Sequence, residues 1–160
     1  MPSVEIVAVD FSEEMLAIAR RKGVRETMVA DISALPFADH TFDCVTIAFG
    51  LRNLHDWDAG LSEMARVLNE QGHVLILEFS LPRLSILRAV YRFYLHRLMP
   101  FVASLITRRR DAYKYLGASI ENFPDGSEMA NLIEASGFGS VSVQPMTGGI
   151  VTIYTANKIG

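Results

Sequence analysis

The 160-residue chain is 50% hydrophobic and 21% charged, with a formal net charge of −3. That composition excludes intrinsic disorder, which needs low hydrophobicity and high charge, and the length suits one domain with its own core. The weak negative charge excludes a general polyanion binder.

In chain order, residues 4–9 are a β-branched apolar run closed by Asp10, which predicts a buried strand. Ser12 precedes Glu13 and Glu14, and Met15, Leu16, Ile18 and Ala19 recur at helical spacing. Ser12 suits an N-cap, the acids a helix N-terminus and Arg20, Arg21 and Lys22 its C-terminus, with Gly23 as the stop. Residues 27–30 read as a second strand ending at Asp31. Leu35-Pro36-Phe37 and Asp39-His40 make a turn, and residues 43–49 are a third apolar strand followed by Gly50. Residues 58–68 form an amphipathic helix with Leu61, Met64, Ala65 and Leu68 on one face; Gln71-Gly72 ends it, and residues 73–79 are a fourth strand. Residues 82–107, rich in Leu, Tyr, Phe and Arg, break the rhythm as one or two helices, with Pro100 as a break or kink. Residues 127–135 are a further helix, N-capped by Ser127 and stopped by Gly137. Residues 141–144 and 150–155 are final strands, joined tightly through Gly148-Gly149 and therefore antiparallel. Apolar strands alternating with helices predict a parallel α/β architecture with helices on both faces.

Charge is unevenly spread. Residues 79–116 hold eight bases, from Arg83 to Lys114, against Asp111 alone; the segment carries +7 and the remainder −10. Its longest uncharged stretch, residues 98–107, is shorter than the about 20 residues that span a bilayer. The single cysteine, Cys44, excludes an internal disulfide, and its apolar surroundings predict a buried, inert thiol in a reducing, cytoplasmic setting. His40, His55, His73 and His96 show no metal-ligand spacing, so no metal is expected. No basic stretch followed by a long apolar run opens the chain, so no signal peptide is expected.

In open α/β sheets, ligands bind beyond the carboxyl ends of the strands. Asp10 and Asp31 stand there on the first two strands. A carboxylate at the first position suits the two adjacent hydroxyls of a ribose, and one at the second accepts from an adenine amino group. Each also has a local reading, Asp10 as a cap of the helix it precedes and Asp31 as a cap of the following turn. Past the third strand, Arg52 and Asn53 stand where catalytic groups belong in such a fold. The local reading pairs Arg52 with Asp56 or Asp58 and gives Asn53 to a turn.

The run LPFADHTFDCVTIAFGLRN…LEFSLP, residues 35–82, resembles the class I S-adenosylmethionine-dependent methyltransferases. More narrowly, FGLRN (49–53), LEFS (77–80), AYKYLGASIENFP (112–124) and GGIVTIY (148–154) are similar to the C-methyltransferases of menaquinone and ubiquinone biosynthesis, over nearly the whole chain. The resemblance implies a Rossmann-like α/β sheet, mostly parallel with an antiparallel C-terminal strand. It implies S-adenosylmethionine as cofactor, with Asp10 binding the ribose, Asp31 and Ile32 contacting adenine, Ala48 and Phe49 lining the methionine side, and Phe11 as a further cofactor-binding residue. It implies a polyprenyl quinol as substrate, Arg52 and Asn53 as catalytic residues with His55 as an alternative base, and Tyr113 and Tyr115 as substrate-side aromatics.

The implied reaction moves a methyl group to a ring carbon of a reduced quinone. Removing a phenolic proton makes that carbon enolate-like, so the site must aid deprotonation and hold carbon and methyl in line. Arg52 then stabilises the developing phenolate, and Asn53 orients water or the quinol oxygen. The sulfonium is the electrophile, so neither a metal nor a covalent nucleophile is needed. A nicotinamide-dependent oxidoreductase fits less well, since no GxGxxG is present. Residues 81–116 become a helical substrate-side insertion, with Tyr91, Tyr94, Leu95, Leu98 and Phe101 on one face and Arg88, Arg92 and Arg97 towards its edge. That pattern predicts either peripheral contact of residues 81–110 with the inner face of a membrane, where the quinol tail resides, or a lid helix packed on the core. One short basic face on an acidic body is a poor phosphate track, so nucleic acid is not an expected partner.

A class I methyltransferase begins with a strand and a Gly-rich turn, about 20 residues before the acid that ends the next strand. Here that acid is residue 10 and the first glycine is Gly23, so residues 1–160 read as a single, incomplete domain lacking that strand, its loop and the N-terminal helices. The absent strand belongs between those of residues 4–9 and 43–49. Its absence predicts a groove in the sheet, exposed edges and one open wall at the cofactor site. Three explanations fit: a fragment of a longer protein, a truncated gene whose gap is filled by neighbouring elements or by a second protomer of a homo-oligomer, or a catalytically inactive homologue that binds lipid or protein.

Overall fold

The computed structural model describes residues 4–101 and 110–159, with the backbone alone for residues 110–114. The elements are β1 (Val7–Asp10), α1 (Glu13–Arg21), β2 (Glu26–Val29), β3 (Phe42–Ala48), α2 (Trp57–Val67), β4 (Leu68–Phe79), α3 (Ser85–Phe93), α4 (Arg110–Asn122), α5 (Ser127–Ala135), β5 (Ser142–Met146) and β6 (Val151–Asn157). β1 and β2 pair in parallel, with Val7 opposite Glu26 and Asp10 opposite Val29. The helix between them starts where Ser12 Oγ accepts the Met15 N–H, and it stops at Gly23, whose φ of +99° favours glycine.

The second sheet has the order β3-β4-β6-β5. Its first pair is parallel and the other two are antiparallel, so the antiparallel C-terminal hairpin stands as expected. Among the described residues no ladder joins the two sheets. The division falls between β1–β2 and β3, where the sequence predicts a groove.

The core lies on one face of the four-stranded sheet. Val74 and Ile76 alternate inward along β4, opposite the buried Ala156 and Tyr154 of β6. α2 covers them with Leu61, Met64 and Ala65, and α5 with Met129 and Ile133. Asp56 caps α2 by accepting the Ala59 N–H at 2.9 Å. The opposite face carries Cys44, Thr46 and Ala48 of β3 and Leu75 of β4, all exposed. Helices meet the two faces unequally: α2 and α5 cover the core face, whereas on the other face Phe79, at the end of β4, packs against the smaller helical cluster of Tyr91, Leu95 and Ile120. One expectation is corrected: Cys44 is exposed rather than buried because it sits on the bare part of that second face.

Arg66 of α2 gathers the chain leaving β2. Its Nη1 donates to Phe37 O at 2.8 Å and to Asp39 at 2.6 Å, and its Nη2 to Leu35 O at 3.0 Å and to Glu63 at 2.7 Å. Glu63 in turn accepts the Leu35 N–H at 2.7 Å. Hydrogen bonds from the guanidinium hold both carboxyls below their ordinary range.

The segment after β4 builds a smaller core. Tyr91 and Leu95 are buried against Ile120 of α4, and Glu121 meets Arg92 at 2.8 Å and His96 at 3.0 Å. The expected single apolar face is therefore split: Tyr91 and Leu95 turn inward, while Tyr94, Leu98 and Phe101 are exposed beside Ile86, Val90 and Phe93. The chain stays helical through Pro100 to Phe101 rather than breaking there. A π-turn over Tyr94–Leu98 precedes the proline, with the Met99 N–H reaching Tyr94 O, and this widening absorbs the ring. At α5 the N-cap is Gly126, not Ser127. Gly126 has φ +60° and ψ −120°, a conformation a side chain resists, and its N–H donates to the Tyr154 hydroxyl at 2.9 Å. The α2 helix also ends earlier than expected. β4 starts at Leu68, and a bulge lies between Leu68, paired with Phe42, and His73, paired with Cys44.

Tyr154 gives a test with two readouts. Tyr154→Phe leaves the Gly126 N–H without its acceptor and should cost about 1–3 kcal/mol in urea denaturation at neutral pH. Burial raises the Tyr154 pKa above its ordinary 10.0, so the unfolded chain loses this proton first. Its contribution is whole below the ordinary value and is lost as pH rises through the folded value, so the variant should also lose stability less steeply in alkali. Identical midpoints and pH slopes would contradict this packing.

Candidate active site

The parallel strands deliver the predicted residues at their carboxyl ends. At the end of β1, Asp10 Oδ1 accepts the Ser12 N–H at 2.9 Å, while the helix cap itself is Ser12. The other carboxylate oxygen has no partner among the described residues and is free to accept from a ligand. Phe11 is 82% exposed beside it. Asp31 follows β2, and its Oδ1 accepts the Ser33 N–H at 2.9 Å and the Ser33 hydroxyl at 2.6 Å. These bonds, the side-chain one first, hold its carboxyl below the ordinary range. The turn-capping reading of Asp31 thus holds, through one oxygen. Ile32 turns inward and packs against the main core.

The loop after β3 is built more firmly. Leu51 is fully buried and anchors a short 3₁₀ turn, Leu51–Asn53. Phe49 has φ +56°, a left-handed conformation costly for an aromatic residue, and its ring packs on Phe79 at 4.5 Å. That turn aims the Phe49 carbonyl at Arg52, whose Nη1 donates to it. The same nitrogen meets Glu78 Oε1 at 2.8 Å, and the Arg52 backbone N–H reaches Glu78 Oε2 at 3.1 Å. The Arg52 side chain is 11% exposed and that of Glu78 0%. The guanidinium lies 5.3 Å from the Phe79 ring centroid. Arg52 Nε is buried with no partner among the described residues.

Arg52 thus pairs with neither Asp56 nor Asp58, the two acids of its local sequence. Asn53 is not merely a turn residue either, because its Oδ1 accepts the Tyr115 hydroxyl of α4 at 3.2 Å. The fold brings Phe49, Arg52, Asn53 and Tyr115 together. Among the described residues it joins neither Asp10, Phe11 nor Asp31 to them by a hydrogen bond or ion pair. Ala48 is exposed at the end of β3, and His55 is exposed on the loop beyond. The side chain of Tyr113 lies outside the described residues. Sequence reasoning missed Glu78. The available signal was the alternation of Val74, Ile76 and Glu78 on β4, which puts a carboxylate on the core face, where it needs a partner.

The model of the ubiE/COQ5 methyltransferase family matches residues 1–158. The ubiquinone/menaquinone biosynthesis C-methyltransferase UbiE of Geobacter sulfurreducens is 46% identical over 98% of this chain and 64% of its own length. The demethylmenaquinone methyltransferase of Mycolicibacterium vanbaalenii is 46% identical over 95% of this chain and 66% of its own. The chain therefore spans just under two thirds of these relatives. Among solved structures, a SAM-dependent methyltransferase of Thermotoga maritima superposes with a TM-score of 0.65 at 18% identity, over 95% of this chain and 72% of that one. The phosphoethanolamine N-methyltransferase 2 of Haemonchus contortus, in complex with S-adenosyl-L-methionine, gives 0.68 at 16% identity, over 98% and 44%. At such identities the likeness carries the fold, a Rossmann-like class I methyltransferase sheet.

The Asp31 turn can be tested directly. Ser33→Ala removes the larger of its two hydrogen bonds and should raise the Asp31 pKa towards the ordinary carboxylate value in a carboxyl-carbon NMR titration. An unmoved titration would show that Ser33 does not set it.

Proposed function

The chain belongs to the ubiE/COQ5 methyltransferase family, and on that premise we propose that it serves S-adenosylmethionine-dependent methylation of a ring carbon on a polyprenyl quinol, either demethylmenaquinol or the benzoquinol of the ubiquinone pathway. The meeting of Arg52, Asn53 and Tyr115 beyond the ends of β3 and β4 carries this reading. S-adenosylmethionine supplies an electrophilic methyl group. The donor set suits it. Asp10 has a carboxylate oxygen available that would accept from the ribose hydroxyls, Asp31 and Ile32 would flank the adenine, and Phe11, Ala48 and Phe49 would border the remainder.

The residues on the quinol side have distinct tasks. The Arg52 guanidinium favours the phenolate over the phenol and so raises electron density on the ring carbon. Asn53 and the Tyr115 hydroxyl, already bonded to one another, orient the quinol oxygen or the water that takes its proton. Tyr113 is assigned to the substrate side by the resemblance alone. When bound, S-adenosylmethionine would supply the methyl group to the ring carbon, and water held by Asn53 and the Tyr115 hydroxyl would take the proton that this carbon gives up as the ring regains aromaticity. Arg52→Ala should lower kcat on the order of 10²–10³-fold and Asn53→Ala on the order of tenfold or more, followed as labelled methyl transfer to a demethylquinol. Full-rate transfer by Arg52→Ala would sink the assignment.

The quinol tail calls for a surface at which the ring can leave a bilayer. α3 offers one. Ile86 is 81% exposed, Val90 and Phe93 share its face, and Arg83, Arg88, Arg92 and Arg97 lie on the same segment. No described helix is long and apolar enough to cross a membrane. A cytoplasmic enzyme docked peripherally at the inner leaflet accounts for these features together. Ile86→Asp combined with Phe93→Asp should abolish co-sedimentation with phosphatidylglycerol vesicles while leaving the melting temperature unchanged. Undiminished sedimentation would remove α3 from that role.

A further inference from the structure

Glu78 is a fully buried carboxylate on the core face of the central strand, in line with Val74 and Ile76. Stability alone does not explain it there, because replacing a buried ion pair by well-packed apolar residues is often neutral or stabilising. Its bonding is particular. Oε2 takes the main-chain N–H of Arg52 at 3.1 Å, and Oε1 takes the Arg52 guanidinium at 2.8 Å and the Phe79 N–H at 2.9 Å. One carboxylate therefore grips both ends of a single arginine and fixes itself to the strand. Nη1 is then committed to Glu78 and to the Phe49 carbonyl. The Nε–H and Nη2 have no partner among the described residues, and the Nε–H is buried.

Resting on the function proposed above, we propose that Glu78 is a positioning residue. It locks Arg52 in one orientation and keeps the Nε and Nη2 donors unspent for an oxyanion on the substrate. A buried donor without a partner is unfavourable, so a ligand oxygen that satisfies it gains affinity where negative charge develops. Free to rotate, the guanidinium would settle on carbonyls and water and would have to be reordered in each turnover. The carboxylate also neutralises the arginine while the site is empty, so the buried cation is tolerated at no ligand's expense.

The test is a double-variant cycle in the full chain with Glu78→Gln, Arg52→Ala and both, following kcat, the KM for each substrate and thermal melting. Glu78→Gln should lower kcat about tenfold or more, with the KM for S-adenosylmethionine held within about twofold. Added to Arg52→Ala, it should change kcat by less than about twofold, because Glu78 acts only through Arg52. Multiplying losses would overturn the proposal. The Arg52 Nε–H resonance provides a readout free of turnover. It should be sharp and slow to exchange in the wild type and lost in a folded Glu78→Gln or Glu78→Asp variant. Its persistence in both would overturn the positioning role, whether or not the protein methylates a quinol. No transfer by the wild type to any demethylquinol, with the resonance behaving as stated, would sink the proposed reaction and leave the Glu78–Arg52 lock standing.

Discussion

The alternation of β4 governs the site as well as the core. This strand bonds to β3 on one side and β6 on the other, so its register fixes both neighbours. Its inward positions carry Val74, Ile76 and then Glu78. The first two meet α2 and α5, and the third is a fully buried carboxylate. A carboxylate at that place demands a cation, and Arg52 arrives from the loop after β3. Leu51, one residue earlier, is fully buried. The loop is thus held by adjacent residues of opposite character, one apolar and one charged. A one-residue slip of β4 would turn both Ile76 and Glu78 outward, removing the core contact and the clamp together.

The local elements were legible because their signals are local. Ser12 with Glu13 and Glu14 starts α1, and Gly23 ends it, as the residue types require. Gly148 and Gly149 join two antiparallel strands, as their spacing suggests. What escaped the sequence depends on contacts across the fold. A separation of 26 positions hides the pair of Arg52 and Glu78, which no spacing rule points to, whereas Asp56, close in sequence, is spent on capping α2. The exposure of Cys44 was hidden in the same way, since an apolar strand reads as buried whether or not a layer covers its second face. Ser127 erred through backbone context, since the glycine before it took the cap, and of the break or kink expected at Pro100 the break is absent, with a π-turn preceding the ring. Asn53 and Tyr115 were named separately from their motifs, and the fold supplied the hydrogen bond between them.

Charge follows a related division of labour. The segment of residues 79–116 carries the protein's excess of bases, and part of it is neutralised internally. Glu121 takes both Arg92 and His96, while Arg88 donates to Pro82 O at 2.8 Å. These contacts lie against the small core of Tyr91, Leu95 and Ile120, so they orient α3 on the body of the protein. The apolar residues on its outer side, Ile86, Val90 and Phe93, are then displayed from a fixed base rather than from a loose arm. An apolar stripe so presented can meet a surface without first ordering itself, which lowers the entropic cost of docking.

The two halves of the site differ in how they are secured. Around Arg52, the loop from Phe49 to Asn53 is tied to β4 by an ion pair, to Phe79 by ring packing and to α4 by Tyr115. Around Asp10, β1, α1 and β2 form a unit whose one fully buried large side chain is Leu16. A two-stranded sheet with one helix is marginal alone, so this unit leans on the Arg66 clamp and on Ile32 reaching into the main core. Local stability is therefore lower where Asp10 and Asp31 stand than where Arg52 stands. A ligand that bonds to Asp10 and Asp31 at one end and lies along Ala48 and Phe49 at the other would bridge the two sheets. Its binding energy would go partly into holding them in register, which would couple occupation of the Asp10 and Asp31 end to the alignment of Arg52, Asn53 and Tyr115.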